Sequence, residues 1–181
     1  MERPIQNCYW VEPGKLLAGE YPREPDHAPS LTKLRALRDA GVSAFIDLTE
    51  KVEAQAWGWV KPYDDMIDGA SHERFPIADM GIPDSPALAI AALDAIDRHI
   101  EEGRTVYVHC FGGVGRTGVI VGCWLVRHGR TGDEALDRLA ELWQDCPKSP
   151  LHPPSTQMPE QMDYIRNWPN PTPKGSAQPT T

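Results

Sequence analysis

Residues His109–Gly118, HCFGGVGRTG, follow the apolar run TVYV at Thr105–Val108, and the order of these pieces decides the fold. The β-branched and aromatic run reads as a strand buried on both faces. The glycines read as a tight loop, and GRTGVIVGCWLVRHG from Gly115 reads as a helix apolar almost all round, hence buried. A strand that ends in such a loop and feeds a helix is half of a βαβ unit. Its loop lies at the carboxyl edge of the sheet, where open α/β sheets hold their ligands.

The same grammar extends outward along the chain. CYWVEPGKLLAGEYP reads as a hairpin turning at Pro13 and Gly14. SLTKLRALRDAG places Leu31, Leu34, Leu37 and Ala40 at helical spacing, with Ser30 as N-cap and Gly41 as the stop. VSAFIDL is a second buried strand. About 25 residues without strong periodicity follow, holding Trp57, Trp59 and Tyr63. After the proline-punctuated loop FPIADMGIPDSP comes a long helix, capped by Ser85, opened by Pro86 and closed by Gly103. TGDEALDRLAELWQDC opens with a capping box from Thr131 to Glu134, and a last short helix covers Met158 to Trp168. Strands alternating with helices predict an α/β three-layer sandwich with a central, mostly parallel sheet. One catalytic domain is expected over residues 1–168, and the apolar-poor tail at 169–181 is expected to be disordered.

Composition narrows the partners. The 181 residues carry a net charge of −8, which argues against broad binding to nucleic acid or an anionic membrane and leaves any anion to be met locally. Four cysteines, Cys8, Cys110, Cys123 and Cys146, have neither disulfide-scaffold density nor zinc-site spacing, so no metal or other cofactor is expected and a reducing compartment is the simpler reading. No stretch approaches the roughly 20 apolar residues of a membrane span, and the start MERPIQNCYW lacks a signal-peptide core. A cytoplasmic location is the expectation.

Gly113–Gly118 matches G-x-G-x-x-G literally, yet context argues against a dinucleotide fold. That fingerprint opens a first βαβ unit and needs an acidic residue at the tip of the next strand. Here Asp133 and Glu134 begin a helix instead. The alternative rests on Cys110 and Arg116, which bracket the five small or apolar residues Phe111, Gly112, Gly113, Val114 and Gly115. A loop of that length turns its amides inward as a nest for phosphate oxygens, with the helix N-terminus adding its positive end. Arg116 is suited to bidentate binding of two of those oxygens. The same amides favour a thiolate on Cys110.

HCFGGVGRTG, with its H-C-x5-R-T spacing, resembles the active-site signature of the cysteine-dependent protein tyrosine and dual-specificity phosphatases. The N-terminal hairpin, FIDLTE, FPIADMGIPD and STQMPEQMDYI are similar to further segments of compact members. The resemblance implies a metal-free, two-step mechanism through a phosphocysteine on Cys110. Asp79 takes the general-acid position, with Asp84 as the competitor. Gln157 takes the position of the water-orienting glutamine, and Gln161 that of a second, supporting one. Thr117 is expected to hydrogen-bond the departing thiolate and His109 to order the loop from behind. The other three cysteines are read as packing residues.

No basic residue lies inside the loop to meet extra phosphates. Phosphoproteins or phosphopeptides are therefore the expected substrates, phosphotyrosine first and phosphoserine or phosphothreonine second. Two rivals differ in kind. A pseudophosphatase would keep the cradle to bind phosphopeptides, and a thiol redox enzyme of the arsenate reductase or rhodanese type would use a similar anion loop. Cys110 and Asp79 are both retained, against the first. Low-molecular-weight relatives of the second kind carry the loop near the N-terminus, and rhodaneses lack the paired arginine and acid loop, so neither pattern fits.

Overall fold

A computed structural model describes residues 1–53, 61–153 and 155–169 of the chain. Among the described residues, five strands form one sheet in the order β1-β2-β5-β3-β4: β1 Cys8–Glu12, β2 Leu16–Gly19, β3 Val42–Asp47, β4 Ser71–Arg74 and β5 Thr105–His109. Only β1 runs antiparallel to its neighbour. The other pairings are parallel, and β5 lies at the centre with Val106 beside Leu16 on one side and Ala44 on the other.

Alternation along the strands divides the core in two. Tyr9, Leu16, Ala18, Ala44, Ile46, Val106 and Val108 face one side, under four helices: α2 Pro86–Glu101, α3 Gly115–Arg127, α4 Gly132–Trp143 and α5 Pro159–Arg166. Trp10, Leu17, Phe45 and Tyr107 face the other, under α1 His27–Asp39 through Leu34 and Leu37. The expected sandwich is therefore the observed one. Every residue of α3 from Gly115 to Val126 is buried, as its all-round apolar sequence requires. The Thr131–Glu134 capping box is closed in both directions, and Ser85 caps α2 through the Leu88 N–H.

Two helix extents and one strand differ from the sequence reading. Helix α1 begins a turn early, at His27, because Pro29 is tolerated in a first turn; Ser30 lies inside it, its Oγ bonded to the Asp26 and Glu24 carbonyls instead of capping. The last helix is confined to Pro159–Arg166. Strand β4, SHER, lies in the segment without periodicity. It is an edge strand whose polar side chains are spent on its neighbours: His72 and Arg74 meet Asp47, and Glu73 meets Arg98 and His99. Nothing apolar marks it, so no hydrophobic alternation announces it. Trp57, Trp59 and residues 170–181 of the expected tail lie outside the described residues. Among the described residues, no helix is long and apolar enough to cross a membrane.

Candidate active site

The carboxyl ends of β3 and β5 lie side by side, Asp47 paired with His109, and the loop after His109 leaves the sheet here before entering α3. Its path is fixed by backbone contacts that exclude side chains. Gly113 has a positive φ of 74°, and a Cβ on it would fall 2.4 Å from the Gly19 carbonyl carbon. The Tyr21 N–H donates to the Phe111 carbonyl at 2.9 Å from outside. The Phe111 and Gly112 carbonyls point outward, and the Gly113 N–H points in, donating to Cys110 Sγ at 3.3 Å. Cys110 is 3% exposed, at the floor.

Arg116, in the first turn of α3, is 2% exposed and reaches the same floor. A buried guanidinium needs an anion, and the one that meets Arg116 is a residue the sequence did not single out. Glu53, 4% exposed, takes both terminal nitrogens of Arg116, Oε1 on Nη1 and Oε2 on Nη2 at 3.1 Å. Nη1 also donates to the Ile77 carbonyl at 3.1 Å. Asp79 Oδ1 lies 3.0 Å from Nη2. Glu53 thus occupies one edge of the guanidinium fork. The remaining edge, Nε–H and the Nη2–H now facing Asp79, is left for an oxyanion. Nothing in the periodicity around Glu53 distinguishes it from an exposed loop glutamate; only the tertiary pairing does.

Asp79 belongs to the loop between β4 and α2, next to Met80, whose φ of 62° is the one positive value at a non-glycine among the described residues. Its side chain is 47% exposed, open to both solvent and Arg116. Asp84 is exposed and precedes the Ser85 cap, and no contact connects it with Arg116. Gln157 lies against Gly115 at the start of α3: a Cβ there would sit 2.7 Å from Gln157 Oε1 and 2.9 Å from Gln161 Nε2. Gln161 is fully buried and works as a tie. Its Oε1 accepts from the Gln157 and Met158 N–H groups at 2.9 and 3.2 Å, and its Nε2 donates to the Gly81 carbonyl at 2.8 Å, joining α5 to the Asp79 loop. It therefore holds the site's walls and is spent on backbone partners. Thr117 Oγ1 is buried with no hydrogen-bond partner among the described residues.

His109 lies behind the loop. Burial pushes its pKa down to about 4, so the ring is neutral at pH 7. A neutral ring with Nδ1 3.1 Å from the Cys110 carbonyl must carry its proton there. Nε2 then accepts from the Tyr63 hydroxyl at 2.5 Å. Tyr63, from the stretch that also holds Trp57 and Trp59, is buried in this role. Asp47, fully buried, is held well below the usual carboxylate range: burial raises it, but His72, Arg74 and Thr49 outweigh that. Cys8, Cys123 and Cys146 are buried free thiols, and desolvation raises all three, Cys8 to about 11.

The floor of the site thus brings together one sulfur, the Gly113 amide, a guanidinium and the Asp79 carboxyl group. Comparison with known proteins gives the family and the fold. The family described as "Swiss Army Knife protein, DSP-PTPase phosphatase domain" matches residues 5–181. The chain is 33% identical over 141 residues to dual specificity protein phosphatase CDC14AB of Danio rerio, covering 70% of this chain and 20% of that protein. It is 26% identical over 160 residues to phosphatidylglycerophosphate phosphatase PTPMT2 of Arabidopsis thaliana, covering 84% and 61%. It thus spans less than two thirds of the length of either relative. The fold is also that of Tk-PTP in its active form, with a TM-score of 0.69, 23% identity and coverage of 88% and 94%.

Proposed function

The chain belongs to the DSP-PTPase phosphatase domain family, and from that premise we propose that it hydrolyses phosphotyrosine, and secondarily phosphoserine and phosphothreonine, in protein substrates through a phosphocysteine on Cys110. The observation that carries this reading is the convergence of the Gly113 amide on the Cys110 sulfur with Asp79 against the open edge of Arg116. In the first step a substrate dianion displaces the Asp79 carboxylate from Arg116 Nη2, because a doubly charged, bidentate acceptor outcompetes one carboxylate oxygen. The Sγ–P bond forms as the P–O bond to the leaving group breaks, and Asp79, taken up as the acid, gives that oxygen its proton. A positioned acid contributes about 10² to 10⁴ in rate. In the second step water, oriented by Gln157, attacks phosphorus, the S–P bond breaks and Asp79 recovers the proton. Thr117 donates to the sulfur as it leaves, and Gln161 supports Gln157 through its backbone.

The uncharged loop interior favours phosphoprotein over polyphosphorylated lipid substrates. Because of the likeness to a phosphatidylglycerophosphate phosphatase, a lipid arm belongs in the test. Hydrolysis is measured without metal on phosphotyrosine, phosphoserine and phosphothreonine peptides and on phosphatidylglycerophosphate, with Cys110→Ser as control. Turnover fastest on phosphotyrosine and absent in Cys110→Ser supports the proposal. Preference for the lipid overturns the substrate assignment. Binding of phosphopeptide without turnover by the parent protein makes the domain a binding module.

A further inference from the structure

The Gly112–Gly113 peptide of the loop is held at both ends. Its N–H donates inward to Cys110 Sγ at 3.3 Å, and its carbonyl accepts outward from Lys148 Nζ, also at 3.3 Å. Lys148 comes from the segment between α4 and α5, far from the signature in sequence, and is itself fixed by Glu20 Oε2 at 2.6 Å. Glu20 is a half-buried hub at the end of β2: Asn7 Nδ2 also donates to Oε2, at 2.9 Å, and Lys33 Nζ lies 2.6 Å from Oε1. These neighbours hold the Glu20 carboxyl below its usual range despite burial, so it is ionised.

The geometry points to Lys148 as a positioning residue of the active site, an outer clamp that fixes which way the Gly112–Gly113 peptide faces. This rests on the reading of Cys110 as the nucleophile and deepens it. Glycine at both positions leaves the peptide free to flip, and Gly113 already has a positive φ that its own sequence does not enforce. A flip would replace a donor at the sulfur by a carbonyl oxygen, repelling a thiolate and the oxyanion above it. A cation on the outer oxygen opposes the flip and adds to the dipole pointing at sulfur, as hydrogen bonds in a chain polarise one another. Lys148 touches neither substrate nor sulfur and acts only through this peptide. The charged groups facing Cys110 on its other side, Arg116 with Glu53 and Asp79, are separate from the Lys148–Glu20–Lys33 network.

The test is the pH dependence of Cys110 alkylation by iodoacetamide in the full chain, for the parent, Lys148→Met and Lys148→Arg. Cys110→Ser identifies the signal, and thermal melts confirm folding. Lys148→Met is expected to slow alkylation at acidic pH by about two- to tenfold, the size of one oriented dipole acting on a charge, and to move the profile to higher pH. kcat should fall by a similar factor with KM nearly unchanged, and Lys148→Arg should restore both. Should Lys148→Met fail to fold, Glu20→Gln, which releases the lysine from its anchor, is expected to shift the profile in the same direction. A folded Lys148→Met protein with the parent's alkylation profile overturns the clamp. An altered profile in a parent that hydrolyses nothing supports the clamp while refuting the phosphatase reading.

Discussion

Asp79 and Asp84 are five residues apart in the same loop, and only one of them lies against Arg116. Asp79→Asn is therefore expected to flatten the basic limb of the kcat/KM profile and to cost about 10² to 10⁴ for substrates with poor leaving groups, while Asp84→Asn stays near the parent; pH–rate profiles with two aryl phosphates of different leaving-group quality decide, and the opposite pattern would reassign the acid. Glu53 gives a second residue-level expectation. Glu53→Gln leaves the Arg116 charge poorly compensated in a dry site and should lower stability by about 3 kcal/mol in urea titrations. Inorganic phosphate should raise the Tm of this variant more than that of the parent, because the anion replaces the missing carboxylate. At this scale the sequence was half legible. Cys110 and Arg116 declare themselves by spacing within one loop. Glu53, Tyr63 and Lys148 meet that loop only through the fold, and their own neighbours in sequence carry no sign of it.

Among the elements, the signature loop is shaped as much by β2 as by its own residues. Gly113 abuts the Gly19 backbone, so Gly113→Ala has no space for its methyl group and no comfortable φ. We expect it to push the loop off β2 and cost about 10²-fold in kcat/KM, the penalty of misplacing reacting groups by about 1 Å. Steady-state kinetics beside a melting curve check this, and an active, fully folded Gly113→Ala would show that the Gly19 contact does not set the loop. The elements legible in sequence are those with a strong apolar period or a completed cap: α2 with Ser85 and Pro86, α4 with Thr131 and Glu134, and the buried α3. Strand β4 was illegible because its four polar residues are satisfied by partners 25 or more residues away. The start of α1 was misread because Ser30, an apparent cap, spends its hydroxyl on carbonyls of the preceding turn.

Across the whole molecule, acid should weaken the fold through the cluster behind the loop. His109 is buried neutral with a pKa of about 4, whereas the unfolded chain takes up this proton near 6.5. The unfolded state then binds more protons between these values, so stability falls as pH drops from about 6.5 toward 4, by up to about 3 kcal/mol. Asp47, lowered by its donors, adds a loss only below about 4, where the unfolded carboxyl takes up a proton. Urea denaturation at several pH values should show the first slope in the parent and its absence in His109→Gln. A parent whose stability is level from pH 6.5 to 4 would remove the buried neutral imidazole from the account.

The most direct measurement is capture of the covalent intermediate. Protein turning over an aryl phosphate is quenched in acid within the first turnovers, digested and read by mass spectrometry. One phosphoryl group on the peptide containing Cys110, absent from Cys110→Ser, is the predicted result. Turnover by Cys110→Ser, or a phosphoryl group found on any other residue, would contradict it.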